Sequence, residues 1–148
     1  MTSKIEHQGK LYALIIHAEI LKPGVNFVTP DEASLQVGFM NHPAGKRINA
    51  HIHKPTMRNL YFTNEVLIIR RGKLRVDFYD DQKNYLESRI LEAGDVILLE
   101  SGGHGFEVLE DIEMIEVKQG PYVAEADKSR FKGIPAEKAI LPKGSKHG

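Results

Sequence analysis

The stretch "KLRVDFY", residues 73–79, decides the fold class, because its first six side chains alternate strictly between charged and apolar. Leu74, Val76 and Phe78 fall on one face of an extended chain, and the charged residues between them fall on the other. A period of two predicts a half-buried β-strand with one face on a core and the other in water.

Several other segments of the middle of the chain are similar in length and rich in apolar and β-branched residues. They are residues 34–40, 65–71, 87–91, 95–100, 104–109 and 112–117. Turn residues separate them, at Gly72, 80–84, 92–95, 101–105 and Glu110-Asp111. Short strands at this spacing predict an antiparallel sandwich or barrel. Helix is expected only as a turn or two, over 124–132 and 135–139.

The composition is that of an ordinary one-domain protein. The 148 residues are 41% hydrophobic and 27% charged, with a formal net charge of zero, so no nucleic-acid partner is expected. The sequence contains no cysteine, which excludes disulfides, thiol nucleophiles and cysteine zinc sites. The apolar run at 11–16 is too short for a bilayer span or a signal-peptide core. We therefore expect no membrane association and a cytoplasmic location.

The stretch "GKRINAHIHKPTMRNLYFTNEVLIIRRG", residues 45–72, holds the candidate site. His51 and His53 on a strand would point the same way, with α-carbons roughly 7 Å apart. Two imidazoles so placed can bind one ion at about 2.1 Å each. Glu65 could add an oxygen ligand, and His104, in the glycine turn "SGGHG", a third nitrogen. The alternative for all four residues is a position that faces solvent.

These residues resemble the first motif of the cupins, G-x5-H-x-H-x3-4-E-x6-G. Gly45, His51, His53, Glu65 and Gly72 fit it in order, with the first and last spacings intact. The departure lies in the middle, where eleven residues separate His53 from Glu65 in place of three or four.

The second cupin motif, G-x5-P-x-G-x2-H-x3-N, is matched in part. Gly94 and Gly102 are in place, Glu100 stands at the proline position, and His104 comes one residue early. The terminal asparagine is absent. Glycines on both sides of His104 make unusual backbone angles accessible in the shortened turn.

The resemblance implies an all-β, cupin-type double-stranded β-helix, a jelly-roll-like barrel, with a short helical or irregular C-terminal segment. N-terminal strands or an arm would occupy 1–33, the barrel 34–118, and an extension that packs on the barrel or a partner subunit 119–148. A divalent ion (Fe, Mn, Ni or Zn) would be ligated by His51, His53, Glu65 and His104.

The resemblance also implies function. It indicates a metal-dependent enzyme, of the dioxygenase or isomerase/epimerase type, that acts on a small polar metabolite, or a non-catalytic protein that binds or senses a sugar-like ligand. A homodimer is expected. Glu100, Glu107 and Tyr61 are all conceivable proton carriers, and the sequence does not rank them.

The remaining polar residues are expected to be structural or solvated. His17 is predicted to be structural, and His42 to belong to a loop near the barrel mouth. A set of basic residues that includes Arg58 and Arg75 is expected to form a solvated strand face balanced by carboxylates, with Arg58 the exception that could bind substrate. No G-x-S-x-G, P-loop or G-x-G-x-x-G sequence supports a serine hydrolase, an NTPase or a dinucleotide enzyme.

Overall fold

The computed structural model describes residues 1–123 and 128–142, and they form an all-β fold. Strand makes up 46% of the described residues, and they contain no α-helix. The strands are β1 (Thr2–His7), β2 (Lys10–Ile16), β3 (Gly24–Phe27), β4 (Gly38–Asn41), β5 (Glu65–Tyr79), β6 (Tyr85–Glu92), β7 (Val96–Leu99) and β8 (Gly103–Lys118). A single 3-10 turn spans Ala136–Lys138.

Six of the strands form one antiparallel sheet built around β5. Its order is β1-β2-β7-β5-β6, and β8 pairs with the other side of β5 along almost its whole length. The first part of β5 lies between β7 and β8, and its last part lies between β6 and β8. Strands β3 and β4 form a separate two-stranded sheet.

The pairing requires that β5 be strongly curled. Leu99 pairs with Glu65 at the beginning of β5, and Gly103 pairs with Tyr79 at its end. Leu99 and Gly103 are four residues apart, so they lie within about 14 Å of each other. A straight strand of 15 residues would separate its ends by roughly 46 Å. The sheet is therefore a strongly curled half-barrel.

The sequence prediction of turns at Gly72 and at Glu110-Asp111 is wrong, because both positions lie inside long strands. The ladder between β5 and β8 shifts register on both sides of Gly72, which is a β-bulge. Gly72 has φ +86°, and a Cβ added there would run into the backbone carbonyl of Asp111. The glycine allows the paired strands β5 and β8 to approach closely and to bend together. The sequence had predicted that each strand would end at this point.

One core fills the concave face of the half-barrel. It joins residues of β1, β2, β5, β6 and β7 in a single apolar cluster, with Leu74, Val76 and Phe78 of the opening stretch at its centre. A second cluster on the convex face unites Leu14, Ile16, Val66 and Leu98. Partly buried apolar side chains of residues 20–39 pack on that second cluster and shield it from water. Strands β1 and β2, within the expected N-terminal arm, are part of the main sheet.

The outer face of the last part of β5 is not solvated as expected. Arg75 and Asp77 are buried and form a two-point ion pair, with Nε–Oδ1 and Nη2–Oδ2 distances of 2.8 and 3.0 Å. Asp77 also accepts a hydrogen bond from Ser88. The C-terminal segment packs over this side of the sheet, where the backbone N–H of Ile134 donates to the hydroxyl of Tyr79 at 2.9 Å.

Two further differences concern chain segments expected to be regular. The strand predicted over 34–40 begins only at Gly38. Of the expected helical turns, the one at 135–139 forms the 3-10 turn. The one at 124–132 is wrong over 128–132, which is not helical, and its residues 124–127 lie outside the described part of the chain. Within 1–123 and 128–142, no helix has the length and apolar content needed to cross a membrane. The homodimer and the cytoplasmic location stay predictions.

Candidate functional site

Glu65 is the first residue of β5 and is held between two neighbouring strands. It pairs with Leu99 of β7 on one side and with Lys118 of β8 on the other. Its side chain shares the concave face with Leu67, which belongs to the main core. The residue is only 8% exposed, so its carboxylate lies at the margin of the apolar core.

The turn between β7 and β8 brings the candidate histidine to the same place. Glu100 donates its backbone N–H to the carbonyl of Tyr12, and Ser101 donates its hydroxyl to the carbonyl of Leu11. Gly102 has φ +70°, and a Cβ there would overlap the ring of Tyr12. The glycine thus lets the turn lie directly on β2, and β8 begins at the next residue.

His104 lies on the concave face of β8, because it pairs with Phe78, whose side chain is in the main core. Its Nε2 atom is 3.2 Å from Oε2 of Glu65. Its ring is also 5.2 Å, centroid to centroid, from that of Phe106 on the same strand. The curl of the sheet therefore unites two of the four predicted ligands.

The electrostatics of the pair favour a charged carboxylate. Hydrogen bonding with His104 is the largest influence on the pKa of Glu65 and lowers it, while burial raises it. The positive charges of Lys118 and Lys128 lower it further, and the net effect is a pKa below its usual value. Glu65 is therefore ionised at neutral pH, which is the state that a cation requires.

Lys118 is a member of this site that the sequence analysis did not single out. Its ammonium nitrogen lies 3.8 Å from Oε1 of Glu65 and 3.8 Å from Oε1 of Glu116. Only the register between β5 and β8 reveals this position, since Lys118 and Glu65 are far apart in sequence. A lysine at the end of an alternating strand has no sequence feature that predicts a position in a binding site.

Asn64, also missed, holds the beginning of β5 in place. It is buried, and its side-chain amide donates to the carbonyl of Glu100 at 2.9 Å. Its side-chain oxygen accepts from the hydroxyl of Ser34 at 2.7 Å. Gln119, which follows β8, accepts from the backbone N–H of Asn64. Asn64 thus ties the turn before His104 to the residue next to Glu65.

His51 and His53 lie apart from this pair. The structure places them in the loop 42–64, which contains no strand and whose residues 43–63 are all exposed. The prediction that they sit on a strand is therefore wrong for this structure. Their rings are 5.2 Å apart, and Nδ1 of His51 donates to the carbonyl of Asn49 at 2.9 Å. That bond leaves Nε2 of the neutral ring as the free ligand atom.

The three conceivable proton carriers have different surroundings. Glu107 lies 2.6 Å from the guanidinium of the buried Arg75, and Tyr61 is 91% exposed in the loop. Glu100 is partly buried, and burial raises the pKa of its carboxyl. A raised pKa is the direction that suits a carboxyl to proton transfer.

The other histidines occupy different regions. His17 follows β2, and its Nε2 lies 2.8 Å from the hydroxyl of Ser3 in a hydrogen bond that ties it to β1, as expected of a structural residue. His42 follows β4, at the beginning of the exposed loop.

Glu65 offers a carboxylate oxygen and His104 an imidazole nitrogen, and both are atom types that divalent cations bind in proteins. Over residues 1–123 and 128–142, no three histidine or acidic side chains are grouped so that they could hold a metal ion. Two of the four predicted ligands are in contact, and the other two are on the exposed loop.

Comparison with protein-family models, with curated proteins and with solved structures found no match to this chain.

Proposed function

We propose that this chain binds a divalent cation through Glu65, His104, His51 and His53, and acts with it as a cupin-type enzyme on a small polar molecule. The observation that carries the proposal is the 3.2 Å contact between Glu65 and His104. An ionised carboxylate and an imidazole converge there, half-buried, on the concave face of a half-barrel. Mixed oxygen and nitrogen ligands suit iron, manganese, nickel or zinc.

The proposal requires that the loop 42–64 fold onto the half-barrel, and β8 offers it an edge. Among the described residues, β8 pairs with β5 alone, so the backbone groups on its other side are open to a further strand. The sequence around the histidines alternates, with Ile48 and Ile52 on one face of an extended chain and His51 and His53 on the other. Such a strand would aim both imidazoles the same way.

Exposed apolar side chains support the same docking. They lie on both partners, Ile48 and Ile52 on the loop and Ile115 and Val117 on β8. Their burial between adjacent strands would favour pairing. Charge adds little, because four of the five acidic residues of β8 already form ion pairs with basic residues of β5 and β8. With this strand in place, the half-barrel becomes the closed barrel that the motifs imply.

Catalysis by this site would need the cation and a proton carrier. When bound, the cation would polarise an oxygen of the substrate. Burial raises the pKa of Glu100, which is the direction that suits a carboxyl to proton transfer. Glu107 is instead paired with Arg75, and Tyr61 is exposed in the loop.

Metal content, measured by mass spectrometry on untagged protein, tests the proposal. The wild type should contain about one divalent ion per chain, and a double variant His51→Ala, His53→Ala should lose at least nine-tenths of it. His7→Ala is the matched control and should keep the ion. Because imidazole must be neutral to bind metal, retention should fall below about pH 6.5. Negligible metal in the wild type, or equal metal in the double variant, would overturn the proposal.

A further inference from the structure

Lys118 lies beside Glu65 and His104, where its ammonium group could contact a ligand. It shares the concave face of β8 with His104, and its side chain is 23% exposed. The two carboxylates around it are both 3.8 Å from its ammonium nitrogen, beyond hydrogen-bonding distance. The ammonium group therefore has donors that neither Glu65 nor Glu116 accepts.

The charge of this region becomes positive when a cation is bound. In the free protein the negative charges of Glu65 and Glu116 are balanced by the positive charges of Lys118 and Lys128. A divalent ion on Glu65 makes the sum positive and places a second cationic centre near the ammonium group. Two like charges that lie close together, partly shielded from water, are stabilised by an anion that contacts both.

The surface beside these charges is apolar. Phe106 and Val108 pair with Val76 and Leu74 of the main core, so they too face the concave side. They are nevertheless 43% and 56% exposed. The ring of Phe106 adjoins His104. An apolar wall thus runs from the charged end of the site along β8.

We propose that the ligand of this site is a small organic anion, a carboxylate or a phosphate monoester, whose charged group binds Lys118 and whose apolar body lies against Phe106 and Val108. The inference rests on the proposed function, because the cation on Glu65 makes the surroundings of Lys118 positive and so favours an anion. An ammonium group is a compact point charge with three donors and binds either anion. A neutral molecule of the same shape lacks the charge that this position recognises.

Calorimetric titration of Mn²⁺-loaded protein with benzoate, phenyl phosphate and benzamide tests the inference. One or both anions should bind, and benzamide should bind at least tenfold more weakly. The variant Lys118→Met should weaken anion binding at least tenfold, since a charge-assisted hydrogen bond is lost. Lys22→Met, which removes an exposed lysine elsewhere, is the control and should leave anion affinity unchanged. The stronger of the two anions identifies the charged group.

A second variant keeps the test decisive if Lys118→Met does not fold. Glu116→Gln removes a carboxylate that competes for the ammonium group, and it should strengthen anion binding about two- to fivefold. Anion affinity that is unchanged in Lys118→Met, or unchanged in Glu116→Gln, overturns the inference alone. Failure of the wild type to take up Mn²⁺ in the loading step overturns the proposed function, and this inference with it.

Discussion

His104 lies within 3.2 Å of Glu65, although in the ladder between β5 and β8 it pairs with Phe78, thirteen residues further along β5. The contact exists because β5 is curled. The turn that follows Leu99 connects β7, which pairs with the beginning of β5, to the first residues of β8, which pair with the end of β5. The carboxylate at the beginning of β5 and an imidazole of β8 that pairs with the end of β5 thereby share a site.

The bulge at Gly72 is the feature that the curl depends on, and we expect Gly72→Ala to lower the free energy of unfolding by about 2–4 kcal/mol. The substitution adds a Cβ where φ is +86° and where the carbonyl of Asp111 is in the way. Urea unfolding followed by circular dichroism measures the change. The control is Gly45→Ala, which has φ +82° but no atom near the new Cβ, and should lose only about 1 kcal/mol. Equal losses in the two variants would mean that close packing at the bulge is unimportant.

The buried ion pair should contribute far more to stability than its exposed counterpart. Asp77→Ala leaves the buried guanidinium of Arg75 with Glu107 as its remaining carboxylate partner, and we expect a loss of about 2–3 kcal/mol. Glu113→Ala breaks the exposed pair with Arg71 and should cost less than about 1 kcal/mol. Chemical denaturation of both variants provides the comparison. A loss below 1 kcal/mol for Asp77→Ala would show that the pair is solvated in solution.

Stability should depend on pH through Glu65. Its folded-state pKa lies below the usual value of 4.5, so its stabilising contribution is complete above that pH. The contribution is lost as the pH falls through the lower, folded-state pKa. The difference in unfolding free energy between the wild type and Glu65→Gln should therefore shrink between about pH 5 and pH 3, as measured by urea titrations. Glu137→Gln is the control, because Glu137 is exposed in the 3-10 turn and should show no such trend. A difference independent of pH would contradict the assignment.

The sequence predicted which segments form strands better than it predicted the residues at which those strands end. Alternation at Leu74, Val76 and Phe78 identified a half-buried strand, and all three side chains lie in the core. The turn predicted at Gly72 was wrong because glycine with a positive φ occurs in turns and in β-bulges alike. Only the pairing with the partner strand distinguishes the two. Arg75 was expected in water because alternation cannot show that the C-terminal segment covers the second face.

The site was predictable only in part. Motif spacing pointed to Glu65 and His104, and the structure brings these two together. No periodic pattern could have given Lys118 or Asn64, whose roles depend on strand register and on contacts distant in sequence. All four residues stay predictions as ligands, and the loop that carries His51 and His53 forms no strand.

Titration with Mn²⁺ by isothermal calorimetry tests most directly whether the contact between β5 and β8 is half of a cation site. The wild type, Glu65→Gln and His104→Ala are compared, with His17→Ala as a control that removes a histidine bound to β1. We predict one ion per chain for the wild type and the control, and an affinity at least about tenfold weaker in each of the other two variants. Equal Mn²⁺ affinity in all four proteins, or no binding to any of them, would contradict the account.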